Sequence, residues 1–342
     1  MMHDKMPLYT ISNLKHGYNN QFMLDVPELS INRGSSVGFI GPNGSGKSTL
    51  FRILAFLEKP SQGSIIFDGK EYTNNDSIRK KVTLLDQNPY LLKRSVFENV
   101  AYGLRTRSQK DDLKDRVNKA LEWVGLPPDK FANRRWNELS GGEAQRVALA
   151  SRFILKPKVL LLDEPTSNID LLSASLIKEA VNTIRERYNT TLIISSHDHV
   201  WLNSVTDDIL SIYDGRIVGS GNENIITGPW YHIKEDLWAK SLTNEDKIFA
   251  TKPPEQDSIA LLHPSDIIIS DVKQTRISAQ NILKGQITLM TSANEFGKVK
   301  VDVKVNELTL SCFLTQHAVK SLHLLPDKDI WIIFKASSLN WQ

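Results

Sequence analysis

Residues 41–49 read GPNGSGKST, and the eight from Gly41 to Ser48 satisfy the pattern G-x-x-x-x-G-K-S. Glycines let successive backbone N–H groups turn onto one anion without a Cβ in the way. Upstream, SSVGFI at 35–40 ends in an apolar run that predicts a strand. Downstream, STLFRILAFL from Ser48 places apolar residues at helical spacing. Strand, glycine loop and helix is the order in which this pattern cradles phosphates at a helix N-terminus. The reading makes Gly41, Asn43, Gly44, Ser45, Gly46, Lys47, Ser48 and Thr49 the candidate phosphate-binding residues. Lys47 is placed to reach the β- and γ-phosphates, and the Ser48 hydroxyl to ligate Mg2+. The loop is expected to bind a nucleoside triphosphate.

A second stretch, KVLLLDEPTSNID at 158–170, puts Asp163 at the C-terminal end of a buried apolar strand. Nucleotide sites of parallel sheets open there. Asp163 suits a Mg2+ held through water, and Glu164 can polarise an attacking water. A third stretch, LSGGEAQR at 139–146, precedes a helix. Ser140 is placed as its N-cap with Glu143 three residues on, as in a capping box. The cap does not account for the glycine pair Gly141 and Gly142, which brings N–H groups to a second helix N-terminus.

At these residues the chain resembles the ABC-transporter ATPases, over roughly residues 7–235. The fold implied is α/β: a P-loop NTPase with a helical subdomain at about 88–155. VFENVAYGLR and DDLKDRVNKALEWVGL carry helical periodicity within that stretch. The resemblance assigns Tyr18 to adenine stacking and Gln87 to sensing Mg2+ and the membrane partner. Asp170 matches the loop that crosses to a partner subunit, and His197 matches the switch histidine after the next strand. ATP and Mg2+ are the implied cofactors, with Glu164, His197 and Lys47 catalytic and Ser48, Gln87 and Asp163 on the metal. The resemblance also implies that Ser140, Gly141 and Gly142 serve the nucleotide of a second copy, in a head-to-tail dimer. Membrane permease subunits, and through them an extracytoplasmic binding protein, are the further partners implied.

The bulk numbers agree with a cytosolic protein whose membrane association, if any, comes through a partner, and the resemblance implies a peripheral place on the cytoplasmic face of the membrane. Hydrophobic residues make up 40% and charged residues 24% of the 342 residues, ordinary for a globular chain of two domains. A net charge of +3, with the basic residues spread out, gives no reason to expect nucleic-acid binding. Cys312 is the single cysteine, so an intrachain disulfide is excluded. The N-terminal stretch lacks the apolar core of a signal peptide, and no apolar run reaches the roughly 20 residues of a membrane helix.

The ATPase domain is expected at 1–240, a linker at 241–257 around Pro253-Pro254, and a small all-β, OB-like domain at 258–342. In KVKVDVKV at 298–305 valine alternates with charge, as on a strand with one wet face. ISAQNILKGQI at 277–287 is similar to the S-A-R-N-x-L-x-G signature of Mop modules, a subset of the TOBE family. DIWIIFKASSLNW at 329–341 resembles the end of the same module. The resemblance implies a tungstate or molybdate site through Ser278, Lys335 and Ser337. Gln280 stands where the signature carries arginine, which puts a cation of that site in doubt.

The function implied is the ATP-hydrolysing subunit of an oxyanion importer, for tungstate or molybdate, with an oxyanion-sensing C-terminal domain. Sulfate, a polyamine or a sugar is the alternative cargo. A soluble ATPase not tied to transport would be expected to carry coiled coils or a second cassette. A non-catalytic anion module would not need Lys47, Asp163, Glu164 and His197.

Overall fold

The computed structural model describes residues 7–18, 22–72, 76–88, 90–109, 111–221, 223–292 and 298–342. The chain divides into two compact units, 1–221 and 222–342.

The first unit opens with β1 (Pro7–Tyr18), β2 (Phe22–Asn32), β3 (Ser36–Ile40) and α1 (Lys47–Leu54). Then come β4 (Gln62–Phe67), β5 (Lys70–Glu71), α2 (Asp76–Arg79) and β6 (Val82–Leu85). Four helices follow: α3 (Val96–Thr106), α4 (Leu113–Trp123), α5 (Pro128–Phe131) and α6 (Gly141–Phe153). The unit closes with β7 (Val159–Asp163), α7 (Leu171–Tyr188), β8 (Thr191–Ser195), α8 (His199–Asn203), β9 (Asp208–Tyr213) and β10 (Arg216–Ser220).

Six strands form a sheet in the order β10-β9-β3-β8-β7-β6, parallel except for the β9–β10 hairpin. A second, antiparallel sheet runs β2-β1-β4-β5. The apolar run of β7 follows from its place between two cores. Leu160 and Leu162 join the core with Leu149 and Phe153 of α6 and Ile177 of α7. Val159 and Leu161 join the other, with Phe51 of α1 and Tyr9 and Ile11 of β1. A strand buried on both faces has no reason to alternate. Tyr9 is fully buried, and its hydroxyl donates to the Leu54 carbonyl at 2.8 Å, which ties the end of α1 to the antiparallel sheet.

The second unit begins at β11 (Asn224–Ile226), followed by β12 (Tyr231–Lys234), β13 (Leu237–Ser241) and β14 (Lys247–Ala250). Next come β15 (Ala260–Leu262), β16 (Ile268–Ser270), β17 (Asn281–Ser292), β18 (Lys298–Val305) and β19 (Leu308–Thr315). It ends with α9 (Gln316–Ser321), β20 (Asp329–Phe334) and β21 (Leu339–Trp341). The sheets are β16-β20-β17-β18-β19, β11-β15-β21 and β12-β13-β14, all antiparallel. This is the small all-β, OB-like domain expected. Along β18, Val301, Val303 and Val305 are buried and Lys304 is exposed, the alternation seen in the sequence. Cys312 lies opposite Val301 and is buried.

The expected boundary at 240 and linker at 241–257 differ from what is found: the unit starts at Asn222, and part of the linker is strand. Side chains explain this. Trp230 is fully buried, donates its indole N–H to the Ser258 carbonyl at 2.9 Å, and meets Trp341 edge-on at 5.0 Å. Asn224 donates to Leu262 and Ser311 carbonyls at 3.1 and 2.9 Å. Polar composition read as a linker because the ordering contacts come from residues far along the chain.

Candidate functional site

The phosphate loop runs from the end of β3 into α1. Gly41 has φ 153°, and a Cβ there would lie 2.0 Å from the Ile212 carbonyl oxygen on β9, so only glycine passes this point. Gly46 takes the left-handed conformation, φ 104°, and turns the chain into α1. The backbone closes on itself where Gly215 N–H donates to the Ser45 carbonyl at 3.0 Å.

A cavity of about 330 Å3 opens over this turn, and sequence-predicted residues from four segments line it. Asn43, Gly44, Gly46, Lys47, Ser48 and Thr49 come from the loop, Gln87 from beyond β6, Asp163 and Glu164 from the end of β7, and His197 from beyond β8. The Lys47 ammonium donates to the Gly41 and Pro42 carbonyls at 2.7 and 3.0 Å. Burial pushes its pKa below the ordinary lysine value, opposed by the negative charges of Glu164 and Asp163. Asp163 and Glu164 are both buried. One Asp163 oxygen, Oδ1, accepts from Ser195 Oγ at 2.5 Å. Glu164 adopts a left-handed backbone, φ 48°, and its Oε1 is buried with no hydrogen bond. His197 Nε2 stands 3.2 Å from that oxygen and 3.1 Å from Asn43 Oδ1, and its backbone N–H donates to Glu164 Oε2 at 3.2 Å. Of the two contacts of Nε2, only that with Asn43 has hydrogen-bonding geometry, so Glu164 Oε1 makes no hydrogen bond and stays open as an acceptor.

The donor set suits a hard divalent cation. Asp163, Ser48 and Gln87 offer only oxygen ligands, which Mg2+ prefers. Among the described residues no group of three His, Cys, Asp or Glu side chains could hold a metal alone. A cation here would complete its shell with phosphate oxygens and water.

Ser140, Gly141, Gly142 and Asp170 do not line this cavity. They form a second cluster. The capping box is present: Glu143 N–H donates to Ser140 Oγ at 3.3 Å, and Ser140 N–H to Glu143 Oε2 at 2.8 Å. Asp170 caps α7, accepting from Ser173 N–H at 2.8 Å and from its hydroxyl at 2.9 Å. A Cβ on Gly142 would lie 2.5 Å from Ser173 Oγ and 3.4 Å from Asp170 Oδ2, whereas one on Gly141 would meet nothing within 4 Å. The outer glycine therefore has open space above it in the single chain. Tyr18 ends β1, and its side chain lies outside the described residues.

In the second unit, Ser278, Lys335 and Ser337 share a cavity of about 460 Å3. Gln280 lines it too and accepts from the Ala336 N–H at 3.1 Å, so that amide is already used. Glu235 and Asp236 also line the cavity and oppose an anion, with Lys234 next to them in the chain. The expected set comes together, with two carboxylates that sequence proximity did not reveal.

Ser195 was missed. It is buried, and it is the register partner of Asp163 across the β7–β8 ladder. The available signal is the first of two serines, Ser195 and Ser196, at the end of an apolar strand.

The profile of the ABC transporter family matches residues 24–167. The tungstate uptake system ATP-binding protein of Peptoclostridium acidaminophilum is 35% identical over 209 residues, 61% of this chain and 95% of that protein. The Fe(3+) ions import ATP-binding protein of Photorhabdus laumondii is 38% identical over 213 residues, 62% of this chain and 60% of its own. Among solved structures, the post-hydrolysis dimer of an ATP-binding cassette bound to ADP and Pi superposes with a TM-score of 0.57 at 27% identity. That match covers 62% of this chain and 97% of the cassette.

Proposed function

The chain belongs to the ABC transporter ATP-binding family, and on that premise we propose that it powers an importer whose cargo is an oxyanion, tungstate or molybdate. It binds ATP and couples ATP hydrolysis to import, as a dimer working with a membrane permease. No helix among the described residues is long and apolar enough to cross a membrane, so attachment to a membrane is assigned to the permease. An extracytoplasmic binding protein would choose the cargo and deliver it to that permease.

One observation carries the reading: Lys47, Gln87, the adjacent pair Asp163 and Glu164, and His197 converge on one cavity from four separate segments. Lys47 exchanges its two loop carbonyls for phosphate oxygens and neutralises charge on the transferring group. Glu164 accepts a proton from the attacking water at its open Oε1. The water oxygen bonds to the γ-phosphorus, the bond to the β-phosphate oxygen breaks, and ADP leaves with that electron pair. His197 presents Nε2 at the same point and holds the γ-phosphate. Asp163, Ser48 and Gln87 would hold Mg2+, which when bound neutralises developing charge on the phosphates. Ser140, Gly141, Gly142 and Asp170 would close on the nucleotide of the partner copy, an isologous arrangement. Tyr18 would stack on adenine.

Tungstate is supported by the relative of that activity and by the clustering of Ser278, Lys335 and Ser337. The same three residues would give the C-terminal unit its regulatory oxyanion site.

The test of the ATPase reading is Glu164→Gln. Hydrolysis falls by about 10²-fold or more, the range for loss of a general base, and an ATP-bound dimer accumulates on size-exclusion chromatography. Hydrolysis at the wild-type rate refutes the assignment. Calorimetric titration with tungstate, molybdate and sulfate tests the regulatory site, which is withdrawn if none gives heat.

A further inference from the structure

We propose that Ser195 is a positioning residue for the phosphate site, one hydroxyl that sets both Asp163 and Glu164. The proposal rests on the reading of Asp163 as the cation-side carboxylate and Glu164 as the water-side one.

Ser195 ends β8 directly opposite Asp163 and is fully buried. Its Oγ lies 2.5 Å from Asp163 Oδ1 and 3.1 Å from the Glu164 backbone nitrogen. A hydroxyl has one proton and two lone pairs. The Glu164 N–H can only donate, and an ionised Asp163 can only accept. The direction of both bonds is therefore forced: Ser195 gives its proton to Asp163 and receives that of Glu164.

Two consequences follow. Asp163 has Oδ1 engaged, which fixes the carboxylate plane and leaves Oδ2 for a cation. Glu164 is held by its N–H in a left-handed conformation that a non-glycine residue adopts reluctantly. The second acceptor for that N–H, the Ser195 carbonyl at 3.2 Å, holds the chain but leaves Asp163 without a donor. The hydroxyl, and not the strand alone, couples the two acids.

The experiment uses the full chain with Ser195→Ala, Ser195→Thr and Ser195→Val, and Asp163→Asn as the reference. ATP affinity is measured by calorimetry in the cold, in EDTA and then with excess Mg2+, and kcat is measured separately. Ser195→Ala is expected to bind ATP in EDTA like wild type. Its Mg2+-dependent gain in affinity shrinks about tenfold or more, and kcat falls about as far, as for a hydrogen bond to a charged group. Ser195→Thr keeps both quantities, and Ser195→Val, of the same volume, loses both. The Thr and Val pair decides the matter if the alanine variant folds poorly, with thermal midpoints as the check on folding. A wild-type Mg2+ gain and kcat in Ser195→Ala, or equal losses in well-folded Thr and Val variants, overturns the proposal. If Asp163→Asn retains the Mg2+ gain, the reading of Asp163 itself is what fails.

Discussion

Gly141→Ala separates a role inside the chain from a role between chains. In the single chain a Cβ at Gly141 meets nothing within 4 Å, and the residue does not have a positive φ. Alanine in the first turn of α6 restricts the unfolded chain and favours helix, so stability should stay level or rise by about 0.5–1 kcal/mol. Activity should behave differently. If this turn closes on a neighbour's γ-phosphate, a methyl group there blocks the close approach of backbone N–H groups. Loss of one such preorganised donor costs about 10²–10³ in kcat. The assay is phosphate release at saturating Mg2+ and ATP, with thermal unfolding of the same sample. Gly142→Ala is the contrast: its Cβ would lie 2.5 Å from Ser173 Oγ, so it disturbs the Asp170 cap as well and lowers stability. Wild-type turnover in Gly141→Ala would refute the closure of this turn on nucleotide. A loss of turnover matched by a loss of stability would refute the open-surface argument.

Three further outcomes are expected. Asn281 is fully buried and bonds both the N–H and the carbonyl of Phe249, at 2.7 and 2.9 Å. Asn281→Leu leaves two backbone groups unpaired and should cost about 2–5 kcal/mol, read as faster hydrogen exchange across 247–250. Cys312 has its thiol pushed up to about 12 by burial and by Asp302, so in the folded protein it should resist iodoacetamide at pH 8 and react only after denaturation. Asp68 is held down to about 2 by hydrogen bonds from Lys158 and Arg33, so its contribution to stability is present above pH 4 and lost as the pH falls toward 2. Asp68→Asn should therefore lower the thermal midpoint at pH 7 and at low salt more than at pH 2 or high salt, since these charges are partly exposed.

The sequence by itself determined the nucleotide loop, the order of strand, turn and helix around it, and the acidic pair at the end of β7. These are local: glycine conformations, helix caps and an unbroken apolar run each act within a few residues. Only the tertiary structure decided that Ser195 faces Asp163, that Gln280 occupies the Ala336 amide, and that two carboxylates line the same cavity as Ser278, Lys335 and Ser337. It also decided that Trp230 and Asn224 draw 222–257 into the second unit. Those facts depend on strand register and on hydrogen bonds between residues 28 to 87 positions apart. Composition carries no record of such pairings, because a polar side chain looks the same in sequence whether its partner is water or a distant backbone group.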